Sequence, residues 1–384
     1  MTLPGPTLGI VGGGQLGRML AEAAAPLGVE VVVLDPTPDC PAAPVARDQV
    51  VGDFDDADAL AALADRADAL TFEIELAAPD LLERVAEERG LPVEPAPDTL
   101  RTIEDKLEQK RAYDDDGIPV PPFRRVDDAA DLRAAVEAFD GVMLKARTGG
   151  YDGRGNVPVR DPDDAEDALD AVGGPAMAEA FVDFARELSV IGVVGRDEVR
   201  TFPVTETIHR EEILRETVVP ARCEPAVAER ADAVAREVLS FLDGRGVYGI
   251  ELFETQEGEI LVNEVAPRPH NSGHWTIEGS SASQFEQHVR AVLGWPLGAA
   301  DARAPTVTAN VLGDVDEPEP ATLRGVERVL DADRAAMHWY GKREARPLRK
   351  MGHLTLTGDG EDEAAGLLAR ARDLRDGLTF RSVD

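Results

Sequence analysis

In the stretch GIELFETQEGEILVNEVAPRPHNSGHW, residues 249–275, two carboxylates, Glu251 and Glu264, lie on segments that read as adjacent strands joined by the turn TQEGE. Strand pairing brings them to one point, where two negative charges repel unless a cation neutralises them. Mg²⁺ suits such a place, since it takes one or two protein carboxylates and completes its shell with phosphate oxygens. Asn263 adds an oxygen ligand beside Glu264. The alternative is a pair of solvated strand carboxylates in a very acidic chain. The following APRPHNSGHW holds prolines, a glycine and polar side chains in too short a span for core, and loops of this kind hold ligands. His270 and His274 have the four-residue spacing of a zinc pair, but Pro269 and Gly273 oppose a helix there and no third histidine or cysteine accompanies them.

A second stretch, KARTGGYDGRGN at 145–156, places four glycines among two arginines, a lysine and an aspartate. A loop this flexible and charged either covers a phosphate-bearing nucleotide or is an ordinary surface hairpin. A third, Gly12-x-Gly14-x-x-Gly17 after an apolar run, completes a dinucleotide-binding fingerprint, with Asp35 where a ribose-binding acid would sit.

The elements that position these residues are legible in outline. TLGIVGGG, QLGRMLAEAAAPLG and VEVVVLDP read as strand, helix and strand, opening an α/β domain. A helix near DADALAALADRA, a strand at ADALTFEIE and a helix at APDLLERVAEERG follow. LPVEPAPDTL marks a first domain boundary, and one helix is expected through DTLRTIEDKLEQKRAYDDDG. GVMLKAR and GNVPVR flank the glycine loop as a hairpin. The segments PAMAEAFVDFARELSVIGVVG, EVRTFPVTETIH, VYGIELFET and EILVNEVAPR form a run of antiparallel strands. A last boundary near LGWPLGAADARAP leaves a small β-rich C-terminal piece.

The chain has 384 residues, room for two or three domains. Its 74 acidic and 40 basic residues give a formal charge of −34, which argues against nucleic acid or an anionic membrane as partner. The acidity is spread along the chain rather than gathered in a tail. Of the 40 basic residues only Lys106, Lys110, Lys145, Lys342 and Lys350 are lysines, a bias that fits a salt-rich cytoplasm and that a GC-rich genome would also produce. Cys40 and Cys223 cannot form a disulfide framework and read as reduced thiols in a cytoplasmic protein. The N-terminus lacks the basic segment of a signal peptide, and no apolar run is long enough for a membrane span.

In this order GGGQLGRM, KARTGGYDGRGN, EAFVDFARELSV, GIELF, NEVAPRPHNSGHW and RKMGHL resemble the 5-(carboxyamino)imidazole ribonucleotide synthases, ATP-grasp enzymes of purine biosynthesis, from about residue 8 to 356. The resemblance implies an α/β, overall α+β, ATP-grasp fold. Its parts would be a Rossmann-like N-terminal domain (1–98), an ATP-grasp domain with a lid lobe (99–297) and a small β-rich C-terminal domain (298–384). It implies ATP-dependent joining of bicarbonate to 5-aminoimidazole ribonucleotide through carboxyphosphate, two Mg²⁺ ions, small molecules as the only ligands, and a homodimer.

Carried over, Lys106 and Lys145 would contact ATP phosphates under a lid of Gly150, Tyr151, Asp152, Gly153, Arg154, Gly155 and Asn156. Glu179, Ala180, Phe181 and Val182 would surround adenine, Glu187 would take the ribose with His209 nearby, and Asn263 and Glu264 would complete the nucleotide site. Glu251 and Glu264 would hold the metal. The ribonucleotide would meet Gln15, Leu16, Glu73, Tyr151, Arg154, Arg268, His270, Asn271 and Ser272, with its phosphate on Lys342, Arg346, Arg349 and Lys350. Arg268, Asp152 and His270 would be catalytic. The chain departs from the family's pattern at Ile74 and Thr207, where asparagine is common, next to Glu73 and near His209. An ATP-grasp enzyme for formate, biotin or an amino acid, and a dinucleotide-binding regulatory module, are the competing readings.

Overall fold

The computed structural model describes residues 1–149, 155–359 and 364–381. The first four strands, β1 (Thr7–Val11), β2 (Glu30–Asp35), β3 (Asp48–Val51) and β4 (Ala69–Phe72), form a parallel sheet in the order β3-β2-β1-β4. Helices α1 (Gln15–Ala24), α2 (Ala57–Ala64) and α3 (Pro79–Arg89) connect and flank them. The unbroken apolar run Val31 to Leu34 suits a parallel strand covered on both faces, and those residues are buried. The β1–α1 turn needs glycine at position 12. Its φ is +107°, and a Cβ there would lie 2.6 Å from Glu73 Cγ.

The single helix expected across 98–117 is two, α4 (Pro97–Glu104) and α5 (Lys106–Asp116). Asp105 breaks it. Its backbone is extended, and its carboxylate accepts from the N–H groups of Leu107 and Glu108 while pairing with Arg147. That cap restarts the helix at Lys106. Next come β5 (Phe123–Val126), α6 (Ala129–Phe139), β6 (Val142–Ala146), β7 (Asn156–Val159), α7 (Ala165–Val172) and β8 (Ala176–Ala180). Their strands form a separate antiparallel sheet, β5-β8-β6-β7. The expected hairpin is present as β6 paired with β7, and its tip, residues 150–154, lies outside the described residues.

The remaining large sheet runs β14-β13-β9-β11-β12-β15-β19-β17, with β10 beside β9. Its strands are β9 (Phe184–Val194), β10 (Val199–Thr201), β11 (Thr205–Arg210), β12 (Ile213–Val219), β13 (Gly246–Thr255), β14 (Ile260–Ala266), β15 (Thr306–Leu312), β17 (Ala335–Trp339) and β19 (Lys350–Thr357). A short pair, β16 (Glu319–Pro320) and β18 (Glu344–Ala345), stands apart. Helices α8 (Pro225–Phe241), α9 (Thr276–Gly279), α10 (Gln284–Val292), α11 (Val326–Leu330) and α12 (Ala364–Asp376) complete the described chain. The C-terminal strands are thus not a sheet of their own. β15 pairs directly with β12, so they prolong the central sheet. Within the described residues no helix is long and apolar enough to cross a membrane.

Helix α10 ties the N-terminal sheet to the large one. Phe285, Val289 and Val292 pack with Leu16, Met19 and Leu20 of α1, and His288 bridges the sheets by hydrogen bonds. The Val247 N–H donates to His288 Nδ1 at 3.0 Å, so Nε2 carries the proton and donates to Thr71 Oγ1 at 2.8 Å. Burial lowers this histidine's pKa to about 3. The unfolded chain therefore binds the extra proton between about pH 6.5 and 3, and the contribution of His288 is lost as pH falls through that window. His288→Gln is expected to lose about 1 kcal/mol at pH 7 and to show a smaller drop from pH 7 to 4 than wild type. Urea unfolding at both pH values checks this, and an equal drop in the two proteins contradicts it.

Candidate active site

Glu251 of β13 lies by Glu264 of β14, as the strand reading anticipated, and faces it directly. The register then slips: Leu252 pairs with Val262, leaving Asn263 as the extra residue of a bulge. Bulges re-aim side chains, and this one lets Asn263 and Glu264 both serve the cleft. Lys145 Nζ reaches Asn263 Oδ1 at 3.4 Å, and Lys106 Nζ reaches Glu264 Oε1 at 2.6 Å. Burial raises the Glu251 pKa, and the charges of Glu264 and Glu187 add to it against the opposing field of His209. At Glu264, half exposed to the cleft, enclosure also disfavours charge, but Lys106 outweighs it and holds the carboxyl at about 2.

Lys145, from β6, also donates to Glu179 Oε1 at 2.5 Å. Glu179 is buried on β8 and pairs through Oε2 with Lys110 at 2.9 Å. Burial opposes its ionisation, yet the two ammonium groups pull its pKa down to about 2. Its carboxylate is therefore committed to lysines. Ala180, Phe181 and Val182 continue the segment half-buried, with Arg160 over the Phe181 ring at 4.5 Å. Glu187 Oε2 and His209 Nδ1 lie 2.9 Å apart, and this bond raises the histidine's pKa against the effect of burial.

On the other side of the cleft, Glu73 accepts from the Gly14 N–H at 2.6 Å, just before Gln15 and Leu16 open α1. Burial lifts its pKa to about 7. Asp35 is also buried, but its carboxylate accepts from the N–H groups of Gly13 and Thr37 at 2.9 and 2.8 Å. It folds back on the glycine turn, so the dinucleotide-binding reading loses its ribose acid. Cys40 is free and buried against the same turn, and Cys223 is free and half-buried.

Arg268 pairs with Glu75 at 2.7 Å and its field reaches Glu73. Gly249 allows the following loop to lie against β13, since a Cβ there would sit 2.3 Å from that of His270. His270 Nε2 is 3.6 Å from Glu251 Oε1, and its Nδ1 meets Ser272 Oγ at 2.8 Å, which meets Ser189 Oγ at 2.6 Å. His274 lies in a buried aromatic group, its ring centre 4.8 Å from that of His353 and tilted by 30°. Among the described residues no three or more His, Cys, Asp or Glu side chains are arranged to hold a metal unaided. Asn271 is buried with both amide atoms lacking a hydrogen-bond partner. Such groups are costly unless a ligand or water completes them.

The C-terminal basic run divides. Lys342 Nζ donates to the Lys350 carbonyl at 2.7 Å, and the Lys350 charge is felt at Glu251 and His209. Arg349 is half-buried and donates to the Glu344 carbonyl at 2.9 Å. Arg346 is exposed and bonded to the Glu344 carboxylate, and its charge acts on the neighbouring Arg349.

Three family models match in succession: a ribonucleotide synthetase preATP-grasp domain over residues 6–104, an ATP-grasp domain over 111–285, and a phosphoribosylaminoimidazole carboxylase C-terminal domain over 306–366. The N5-carboxyaminoimidazole ribonucleotide synthase of Brucella melitensis is 43% identical over 357 residues, covering 92% of this chain and 96% of that protein. The chloroplastic phosphoribosylaminoimidazole carboxylase of Vigna aconitifolia is 40% identical over 364 residues, 91% of this chain but 64% of that longer protein. The chain belongs to the N5-carboxyaminoimidazole ribonucleotide synthase family. A crystal structure of the Aspergillus clavatus synthase, in complex with ADP and 5-aminoimidazole ribonucleotide, superposes with a TM-score of 0.90 at 36% identity, covering 98% of this chain and all of that one.

Within this family's fold the described site residues gather around the large sheet and the β1–α1 turn. Gly155 and Asn156 close the β6–β7 hairpin, whereas Gly150, Tyr151, Asp152, Gly153 and Arg154 lie outside the described residues. Sequence reasoning passed over Lys110 and Ser189. Lys110 had a signal, four residues after Lys106 and so on the same helical face. Ser189 had none, because it reaches the site through sheet register with Glu251 and a bond to Ser272, both far from it in the chain.

Proposed function

We propose that this chain catalyses the reaction its family is named for, the ATP-dependent carboxylation of 5-aminoimidazole ribonucleotide in purine biosynthesis. The observation that carries this reading is the facing of Glu251 and Glu264 at a bulge met by Lys106 and Lys145. Bicarbonate is a poor electrophile. Its oxygen attacks the γ-phosphorus of ATP, the bond to ADP breaks, and carboxyphosphate forms. The exocyclic amine of the ribonucleotide then attacks that carbonyl carbon, or the CO₂ released from it, so that phosphate leaves and the amine loses a proton.

Lys106 and Lys145 turn from their carboxylate partners to the phosphates, and Glu187 with His209 takes the ribose of ATP. Two carboxylates this close, one with a raised pKa, suit a divalent cation, and Glu251, Glu264 and the Asn263 amide oxygen would hold Mg²⁺. Bound there, it supplies positive charge between the phosphates. Glu73, Arg268, His270, Asn271 and Ser272 line the ribonucleotide side, with Lys342, Lys350 and Arg349 for its phosphate. The unpartnered amide of Asn271 supports a polar ligand at this place. Residues 1–98, 99–297 and 298–384 act as the three functional regions, in a cytoplasmic homodimer.

The charge of −34 with only five lysines supports adaptation to high salt. Salt at about 1 M shortens the screening length to about 3 Å and relieves self-repulsion. ADP release should therefore depend on added aminoimidazole ribonucleotide, and both rate and melting temperature should rise toward molar KCl. ADP release indifferent to the ribonucleotide overturns the reaction, and equal melting temperatures at low and high salt overturn the salt adaptation.

A further inference from the structure

Lys110 is 3% exposed and joins two sheets. From α5 its Nζ donates to the carbonyl of Val262 at 2.8 Å, next to the Asn263 bulge of β14, and pairs with Glu179 of β8 at 2.9 Å. The other oxygen of Glu179 holds Lys145. A buried carboxylate thus sits between two ammonium groups, one of which, Lys145, is needed elsewhere when ATP binds. Removing one partner from a buried ion pair is unfavourable because it strands the remaining charge. With Lys110 in place Glu179 keeps a counter-charge when Lys145 leaves.

We infer that Lys110 is a positioning residue for ATP: it holds Glu179 so that Lys145 is free to turn to the phosphates, and it fixes the Asn263 bulge through Val262. Without it Glu179 would retain Lys145, and ATP would have to break that pair. The low pKa of Lys110, brought to about 8 by burial despite Glu179, is consistent with a group that is enclosed on all sides.

This role presupposes the ATP site proposed above, and wild-type ADP release in the same assay separates the two, since an inactive wild type overturns the site itself. Lys110→Met is expected to raise the KM for ATP at least tenfold while the KM for the ribonucleotide stays within twofold. Adding Glu179→Gln to Lys110→Met removes the charge that traps Lys145, so the ATP KM should fall back by at least threefold. Lost packing alone would not be relieved by the second change. If Lys110→Met is insoluble, Lys110→Gln, which keeps a donor for Val262 but no charge, is read by the same criteria. An unchanged ATP KM, an equal rise in both KM values, or no recovery in the double variant each overturns the role.

Discussion

Glu264→Gln keeps its fold and loses roughly 10²–10³-fold in turnover. The substitution preserves shape and removes one charge, at a side chain half open to the cleft, so folding has little to lose. Catalysis has more to lose. The carboxylate stands opposite Glu251 and against Lys106, where it would balance a divalent cation between phosphates. Charge stabilisation of that kind contributes several kcal/mol, and each 1.36 kcal/mol is tenfold in rate. Steady-state ADP release at saturating Mg²⁺, with circular dichroism to verify the fold, decides the matter. Turnover close to wild type would remove the metal from these residues.

Lys342→Ala raises the KM for the ribonucleotide roughly 10- to 150-fold and leaves that for ATP within about twofold. The range follows from losing a charge-assisted hydrogen bond of about 1.5–3 kcal/mol to a phosphate. Lys342 is tied to the Lys350 carbonyl, and the Lys350 charge acts on Glu251, which is why the proposed phosphate site includes both. Arg346 supplies the control. It is exposed and bonded to Glu344, so Arg346→Ala should shift neither KM by more than about twofold, well below the ~1.4 kcal/mol of a tenfold change. A ribonucleotide KM within twofold of wild type in Lys342→Ala would remove the phosphate cradle, leaving these lysines as surface charge.

Local pattern alone carried the N-terminal unit, because a buried apolar strand, a glycine turn and an amphipathic helix announce themselves over a few residues. That Glu251 and Glu264 come near one another was legible from the hairpin, but their direct facing was not, since the register set by the turn would oppose Glu251 to Asn263 and only the bulge brings Glu264 into that place. The break at Asp105 was legible in part. Its capping side chain could have been read, but its other partner is Arg147.

What the sequence by itself determined is the set of residue types and the strands and helices that bear them: five lysines in an acidic chain, two strand glutamates, a glycine-rich hairpin and a polar loop. Only the tertiary structure decided which charge meets which. It assigned Glu179 to Lys110 and Lys145, turned Asp35 back on the glycine loop, set His274 against His353, and carried the C-terminal strands into the central sheet. The physical reason is range. Helix and strand patterns come from neighbours a few positions apart, whereas ion pairs and sheet order join residues far apart in the chain, where many arrangements satisfy the same local pattern and burial selects one.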